Sequence, residues 1–157
     1  MTPLIVGADL AIKHGSLVDI HGNILHIYKD QLGLISNVEE LFQTARAAAN
    51  ATPRKSVVCI DWDRNQGHWG NNPTIGVLIT MIVGFYGALV RTKGCDVHYV
   101  TPSIIRVCLG LQDQCSKEDV HFNVRNFCPH FEDDPEGDML DAWLLAWTYK
   151  CSKEYWS

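Results

Sequence analysis

At 157 residues the chain is long enough for one domain with a substantial core, and 46% hydrophobic with 20% charged residues is ordinary for a soluble globular protein. The net charge of −5 argues against a generic basic nucleic-acid binder but not against an enzyme that gathers acids around metal. The six cysteines show no CxxC pair and no zinc-finger spacing, and no signal peptide precedes them, so the expectation is free thiols in a reducing cytoplasm. Cys128-x-His130 lacks a second half at metal-ligand spacing and reads as structural.

In chain order, residues 3–9 (Pro-Leu-Ile-Val-Gly-Ala-Asp) form a short apolar run that ends in an acid, which predicts a buried strand with Asp9 at its C-terminal end. Residues 16–20 and 24–28, joined by His21-Gly22-Asn23, predict a β-hairpin. Ser36-Asn37-Val38-Glu39 resembles a capping box, and Val38, Leu41, Phe42 and Ala45 mark a helical face running to about Asn50. Residues 56–61 repeat the design of an apolar strand ending in an acid, Asp61; being uninterrupted rather than alternating, this strand is expected to be buried on both faces. A loop rich in Gly, Asn and aromatic residues follows, from Trp62 to Asn72, and Pro73 opens the next helix.

Residues 74–90 carry no charge. Their length sits at the low edge of a membrane span. Gly76, Thr80, Gly84 and Gly87 lower the hydrophobicity, so the expectation is a helix packed on the sheet, its other side covered by a second subunit or helix, and no membrane. Residues 95–101 predict a strand stopped by Pro102, followed by a short helix at 103–109 and a second capping box, Ser116-x-x-Asp119, opening a helix to about Phe127. An acidic linker, residues 132–137, leads to the last helix. There Met139, Leu140, Trp143, Leu144 and Trp147 recur at helical spacing, with Asp138 and Asp141 three residues apart on one side of the first turn. This order predicts a mixed sheet, three antiparallel strands and then parallel βαβ units, with helices on its faces.

On the last helix alone, Asp138 reads as a cap and Asp141 as a solvated acid. A carboxylate beside an apolar stripe is costly unless something positive neutralises it, and a divalent metal is the alternative. Asp9 and Asp61 each read singly as a turn residue. They would converge if their strands are neighbours, because the carboxyl ends of adjacent strands in an open α/β sheet face one crevice, and that weighs toward the alternative. Four converging carboxylates repel one another, and two Mg²⁺ or Mn²⁺ ions about 4 Å apart would satisfy them, the arrangement used to cut phosphodiesters.

Gly7-x-Asp9, Val58-Cys59-Ile60-Asp61 and Asp138-x-x-Asp141-Ala142 together resemble the RNase H-like nuclease superfamily, and more closely the RuvC-type Holliday junction resolvases. The family's Lys-x-x-Val-x-x-x-Val-Arg pattern before the last helix is matched by Lys117, Val120, Val124 and Arg125. The resemblance spans the chain in element order and is closest to compact, divergent members such as those phages encode, which would act in the host cytoplasm. It implies an RNase H-like mixed five-stranded sheet over residues 1–157, with Asp9, Asp61, Asp138 and Asp141 as metal ligands and catalytic acids. It further implies Lys117 near the scissile phosphate, and a homodimer formed through the helix around residues 74–90. An aromatic in the loop after the second acid, Trp62 or Trp69, would stack on unpaired bases at the crossover. The second acid, commonly Glu in bacterial members, is Asp61 here, with Asp63 close by.

Lys13, Arg64, Lys117 and Arg125 are the basic residues assigned to DNA, while His14 and His68 could also approach it; apart from Lys117, each taken singly reads as a surface group. The expected activity is metal-dependent nicking of branched DNA, above all four-way junctions, leaving 5′-phosphate and 3′-hydroxyl ends. The rivals are an RNase H-like enzyme acting on another substrate, such as an RNA–DNA hybrid, and a non-catalytic nucleic-acid-binding module of the same fold.

Overall fold

The structure is a computed structural model that describes residues 2–29, 37–61 and 73–156. Its five-stranded sheet is built from β1 (Ile5–Leu10), β2 (His14–Asp19), β3 (Ile24–Lys29), β4 (Val57–Asp61) and β5 (Asp96–Val100). Five helices complete the described fold: α1 (Val38–Ala51), α2 (Pro73–Thr92), α3 (Pro102–Cys108), α4 (Lys117–Val124) and α5 (Asp138–Trp156). The strand order is β3-β2-β1-β4-β5; β1 to β3 pair antiparallel, and β1, β4 and β5 pair parallel. This is the mixed RNase H-like sheet expected from the sequence.

Alternation along the central strands divides the core into two layers. Val6, Ala8, Leu10, Val58 and Ile60 meet Leu41, Ala45 and Ala48 of α1 and Ile82, Tyr86 and Val90 of α2 on one face. The other face carries α5, whose Leu140, Trp143 and Leu144 pack with Val18 of β2 and Val120 and Val124 of α4, while Leu145 packs with Cys59 and Val100. Val57, Val58, Cys59 and Ile60 are all buried, as a central strand covered on both sides requires. The buried polar ends find partners: the Trp143 indole N–H donates to the Ile20 carbonyl at 2.9 Å, and the Tyr86 and Thr52 hydroxyls meet at 3.0 Å.

Several boundaries differ from the sequence reading. The cap of α1 is Asn37, whose side chain accepts from the Glu40 N–H at 2.9 Å, one residue beyond the proposed Ser36–Glu39 box. An Asn amide oxygen caps as well as a hydroxyl, so two adjacent capping residues leave the choice to the packing of the helix. The Ser116–Asp119 capping box is formed as expected, but α4 stops at Val124, and the Phe127 and Cys128 N–H groups turn back onto the Val124 carbonyl.

Among the described residues, one helix, spanning Thr74–Thr92, is long and apolar enough to cross a membrane. It packs along α1, burying Ile82, Val83, Tyr86 and Val90, while Val77, Thr80, Gly84 and Ala88 stay exposed on its outer side.

Candidate active site

The register of β1 and β4 places two of the four acids. Gly7 pairs with Cys59 and Ala8 with Ile60, so the next step sets Asp9 beside Asp61 at the carboxyl ends of neighbouring parallel strands. Alternation turns both toward the α5 face, since Val6, Ala8, Val58 and Ile60 belong to the opposite core. Gly7 then determines how close α5 comes. A Cβ at Gly7 would lie 1.7 Å from the Ala142 carbonyl oxygen, so the helix rests directly on the strand backbone only because no side chain intervenes. That contact brings the first turn of α5, with Asp138 and Asp141, to the end of β1.

The capping role considered for Asp138 belongs to Asp134. Its two carboxylate oxygens accept the N–H groups of Met139 and Leu140, each at 3.1 Å, and satisfy donors at the start of α5. Asp138 is left to project beside the strands: its Oδ1 lies 3.8 Å from His14 Nδ1, and its backbone carbonyl accepts from the Ser16 hydroxyl at 3.0 Å.

Asp141 is engaged on both oxygens. Lys117 Nζ approaches Oδ2 at 2.8 Å, and His121 Nε2 approaches Oδ1 at 2.6 Å. Both partners come from α4, four residues apart and therefore on one side of that helix. Burial works against the charge of Lys117, but its hydrogen bond with Asp141 and the nearby carboxylates outweigh this and hold the ammonium above its ordinary range. Asp9 shows the opposite strain. Burial, then the charges of Asp61 and Asp141, push its carboxyl up to about 8; Lys117 offsets part of this, and Asp138 adds to it. All three other acids thus lie near enough to act on the charge of Asp9.

The structure sets the remaining sequence candidates at different distances from this centre. Lys13 is exposed and lines a groove of about 300 Å³ with His14, Ser16 and Asp138. Arg125, also exposed, lines another cavity, of about 400 Å³, together with His121 and Gly137. Trp62, Arg64 and Trp69, with Asp63 and His68, lie outside the described residues. No ligand spacing among the histidines singles out His121 in the sequence; its place four residues after Lys117 is the local sign of its role.

The donors fit divalent magnesium or manganese in kind: Asp9, Asp61, Asp138 and Asp141 offer hard carboxylate oxygens, and the charges of the other three acids add to burial in raising Asp9. Among the described residues no three His, Cys, Asp or Glu side chains form a ready-made metal cluster. Lys117 neutralises Asp141, and His121 holds its other oxygen by a hydrogen bond.

The raised Asp9 sets a stability prediction for the metal-free protein. Unfolded, Asp9 loses its proton near its ordinary value of 3.8; folded, it keeps the proton to about 8. Its contribution to stability is therefore complete below the first value and is lost as pH rises through the second. Asp9→Asn, which stays uncharged, is expected to raise the melting temperature of the metal-free protein by a few degrees at pH 8.5, with the gain shrinking toward pH 5. Thermal melts in chelator at both pH values check this, and an equal gain at the two would remove the titration as its cause.

No protein-family model and no curated protein sequence matches the chain. Solved structures do. T. thermophilus RuvC in complex with a Holliday junction substrate superposes with a TM-score of 0.73 at 15% identity, over 98% of this chain and 96% of that one. A second Thermus thermophilus RuvC structure gives 0.66 at 16% identity, covering 97% and 96%. The yeast mitochondrial Holliday junction resolvase Ydc2 gives 0.62 at 14% identity, covering 98% of this chain and 82% of that one. At these identities the likeness is one of fold, and the chain has the RNase H-like fold in the form that the RuvC-type resolvases share.

Proposed function

We propose that this protein is a divalent-metal-dependent endonuclease that nicks branched DNA, with the four-way junction as its principal substrate. What supports this reading is that Asp61, at the end of the neighbouring strand, and Asp138 and Asp141 of α5 all act on the charge of Asp9, within a fold shared with a resolvase solved on a junction. Asp9, Asp61, Asp138 and Asp141 are the residues that would hold magnesium or manganese. Bound cations supply Lewis acidity at the scissile phosphate and a neutralising charge for the transition state.

The chain's own groups carry the rest. Burial first, and then the charges of the neighbouring acids, keep the proton on Asp9, so positive charge entering the cluster would favour its release. Lys117 balances Asp141, and with its side chain 59% exposed it is able to exchange that carboxylate for a backbone phosphate. Lys13 and Arg125 stand on the flanking cavities, where they would follow the DNA arms.

A four-way junction has two strands to cut symmetrically, so the proposal includes a homodimer. The outer side of α2 is the surface for it, with Val77 58% exposed and Gly84 exposed behind it. Nothing lies within 4 Å of a Cβ placed at Gly84, so Gly84→Arg leaves the fold intact while putting a charge in the middle of this face. Sedimentation is expected to show a wild-type dimer and a monomeric variant with an unchanged circular dichroism spectrum; a variant that stays dimeric moves the interface elsewhere.

Nicking assays on four-way, flap and RNA–DNA hybrid substrates in Mg²⁺ and Mn²⁺ test the activity itself. Paired nicks in the four-way substrate are the expected result. Preferential cutting of the hybrid would select the rival substrate, and binding without cutting in either metal would indicate a non-catalytic module.

A further inference from the structure

His121 is 11% exposed at its side chain, and its ring lies against the backbone of Gly137, the residue that precedes α5. Gly137 has φ +77°, and a Cβ there would come within 2.5 Å of His121 Cε1 and 3.0 Å of Nδ1. The ring thus occupies a seat that only a glycine leaves open, at the root of the helix that carries two of the four acids. From that seat Nε2 reaches Asp141 Oδ1 at 2.6 Å. An ionised carboxylate only accepts, so the imidazole N–H donates. Lys117, on the other oxygen, is exposed and long; His121 is short, enclosed and braced.

Resting on the nuclease reading above, we infer that His121 is a positioning residue for Asp141: it holds Oδ1 so that Oδ2, now covered by Lys117, is the oxygen presented to a cation. A donor braced behind a metal-binding carboxylate sets its rotamer and its basicity, and loss of such a partner weakens metal binding by about 10- to 100-fold. Gly137 belongs to the same device, because its missing side chain is what admits the ring.

The test uses the full chain without DNA, titrated with Mn²⁺ by calorimetry, and in parallel the Mn²⁺ dependence of four-way junction nicking. His121→Phe fills the ring's volume but has no donor, whereas His121→Gln restores an N–H at comparable reach. His121→Phe is expected to weaken Mn²⁺ binding by about tenfold or more and to raise the Mn²⁺ concentration for half-maximal nicking by the same factor. His121→Gln is expected to recover most of both, with the melting temperatures of the two variants alike. Wild-type Mn²⁺ affinity in His121→Phe overturns the inference. So do equal losses in both variants, which would mean that only the packing matters, and so does a wild-type protein that binds no Mn²⁺. A wild-type protein that binds Mn²⁺ yet cuts no junction refutes the nuclease reading instead, and calorimetry of the variants still decides the role of His121.

Discussion

Asp141→Asn is expected to abolish nicking of a four-way junction, with the rate falling about a thousandfold or more, equivalent to about 4 kcal/mol of transition-state stabilisation. The substitution keeps the shape of the side chain and removes its charge. Asn still offers a carbonyl oxygen to the His121 N–H, so the bond now at 2.6 Å has a successor. The loss of the ion pair with Lys117 costs little, because that lysine is exposed. The fold and the basic groups proposed to meet phosphate are thus preserved while the anionic ligand proposed for the cation is lost. Single-turnover nicking in Mg²⁺, a gel shift on the same junction and a thermal melt check this together. Cleavage at the wild-type rate would remove Asp141 from the chemistry, and loss of junction binding would assign it to DNA contact.

Gly7→Ala is expected to be nearly as severe, by a different route. The added methyl would sit 1.7 Å from the Ala142 carbonyl oxygen, 2.7 Å from its carbon and 3.3 Å from the Ala146 nitrogen. All of these are backbone atoms, so no side chain can turn away and α5 itself must lift from β1. Overpacking of this kind costs about 1–3 kcal/mol or more, which lowers the melting temperature of a chain this size by roughly 5–10 °C. Asp138 and Asp141 move with the helix, away from Asp9. A misplacement on the order of 1 Å reduces catalysis by about a hundredfold. Nicking measured well below the melting temperature, with circular dichroism showing a folded protein, separates the displaced site from simple unfolding. Wild-type stability and activity in Gly7→Ala would mean that the close contact does not hold the site together.

Much of this fold was legible in the chain because its signals are local. Continuous apolar runs ending at Asp9 and Asp61 marked buried strands, and apolar residues at spacings of three and four marked the last helix with its two acids. The cap of α1 was misplaced by one residue because Ser36 and Asn37 are both competent caps and only the packed helix chooses between them. The role of Asp134 was invisible for a related reason: it lies in an acidic linker where any of several carboxylates could have turned back onto the helix N–H groups. His121 escaped because a hydrogen bond between residues twenty positions apart depends on how α4 lies against α5, which no periodicity within either helix encodes.

By itself the sequence determined which segments are strands and helices, that two strands end in acids, and that the last helix opens with two acids three residues apart. Those features depend on neighbours a few residues away. Only the tertiary structure decided that Asp9 and Asp61 stand side by side, that Gly7 lets α5 rest on β1, and that Asp141 is held between Lys117 and His121. Strand register and helix seating arise from contacts between distant parts of the chain, and whether acids scattered along it form one site is decided at those contacts.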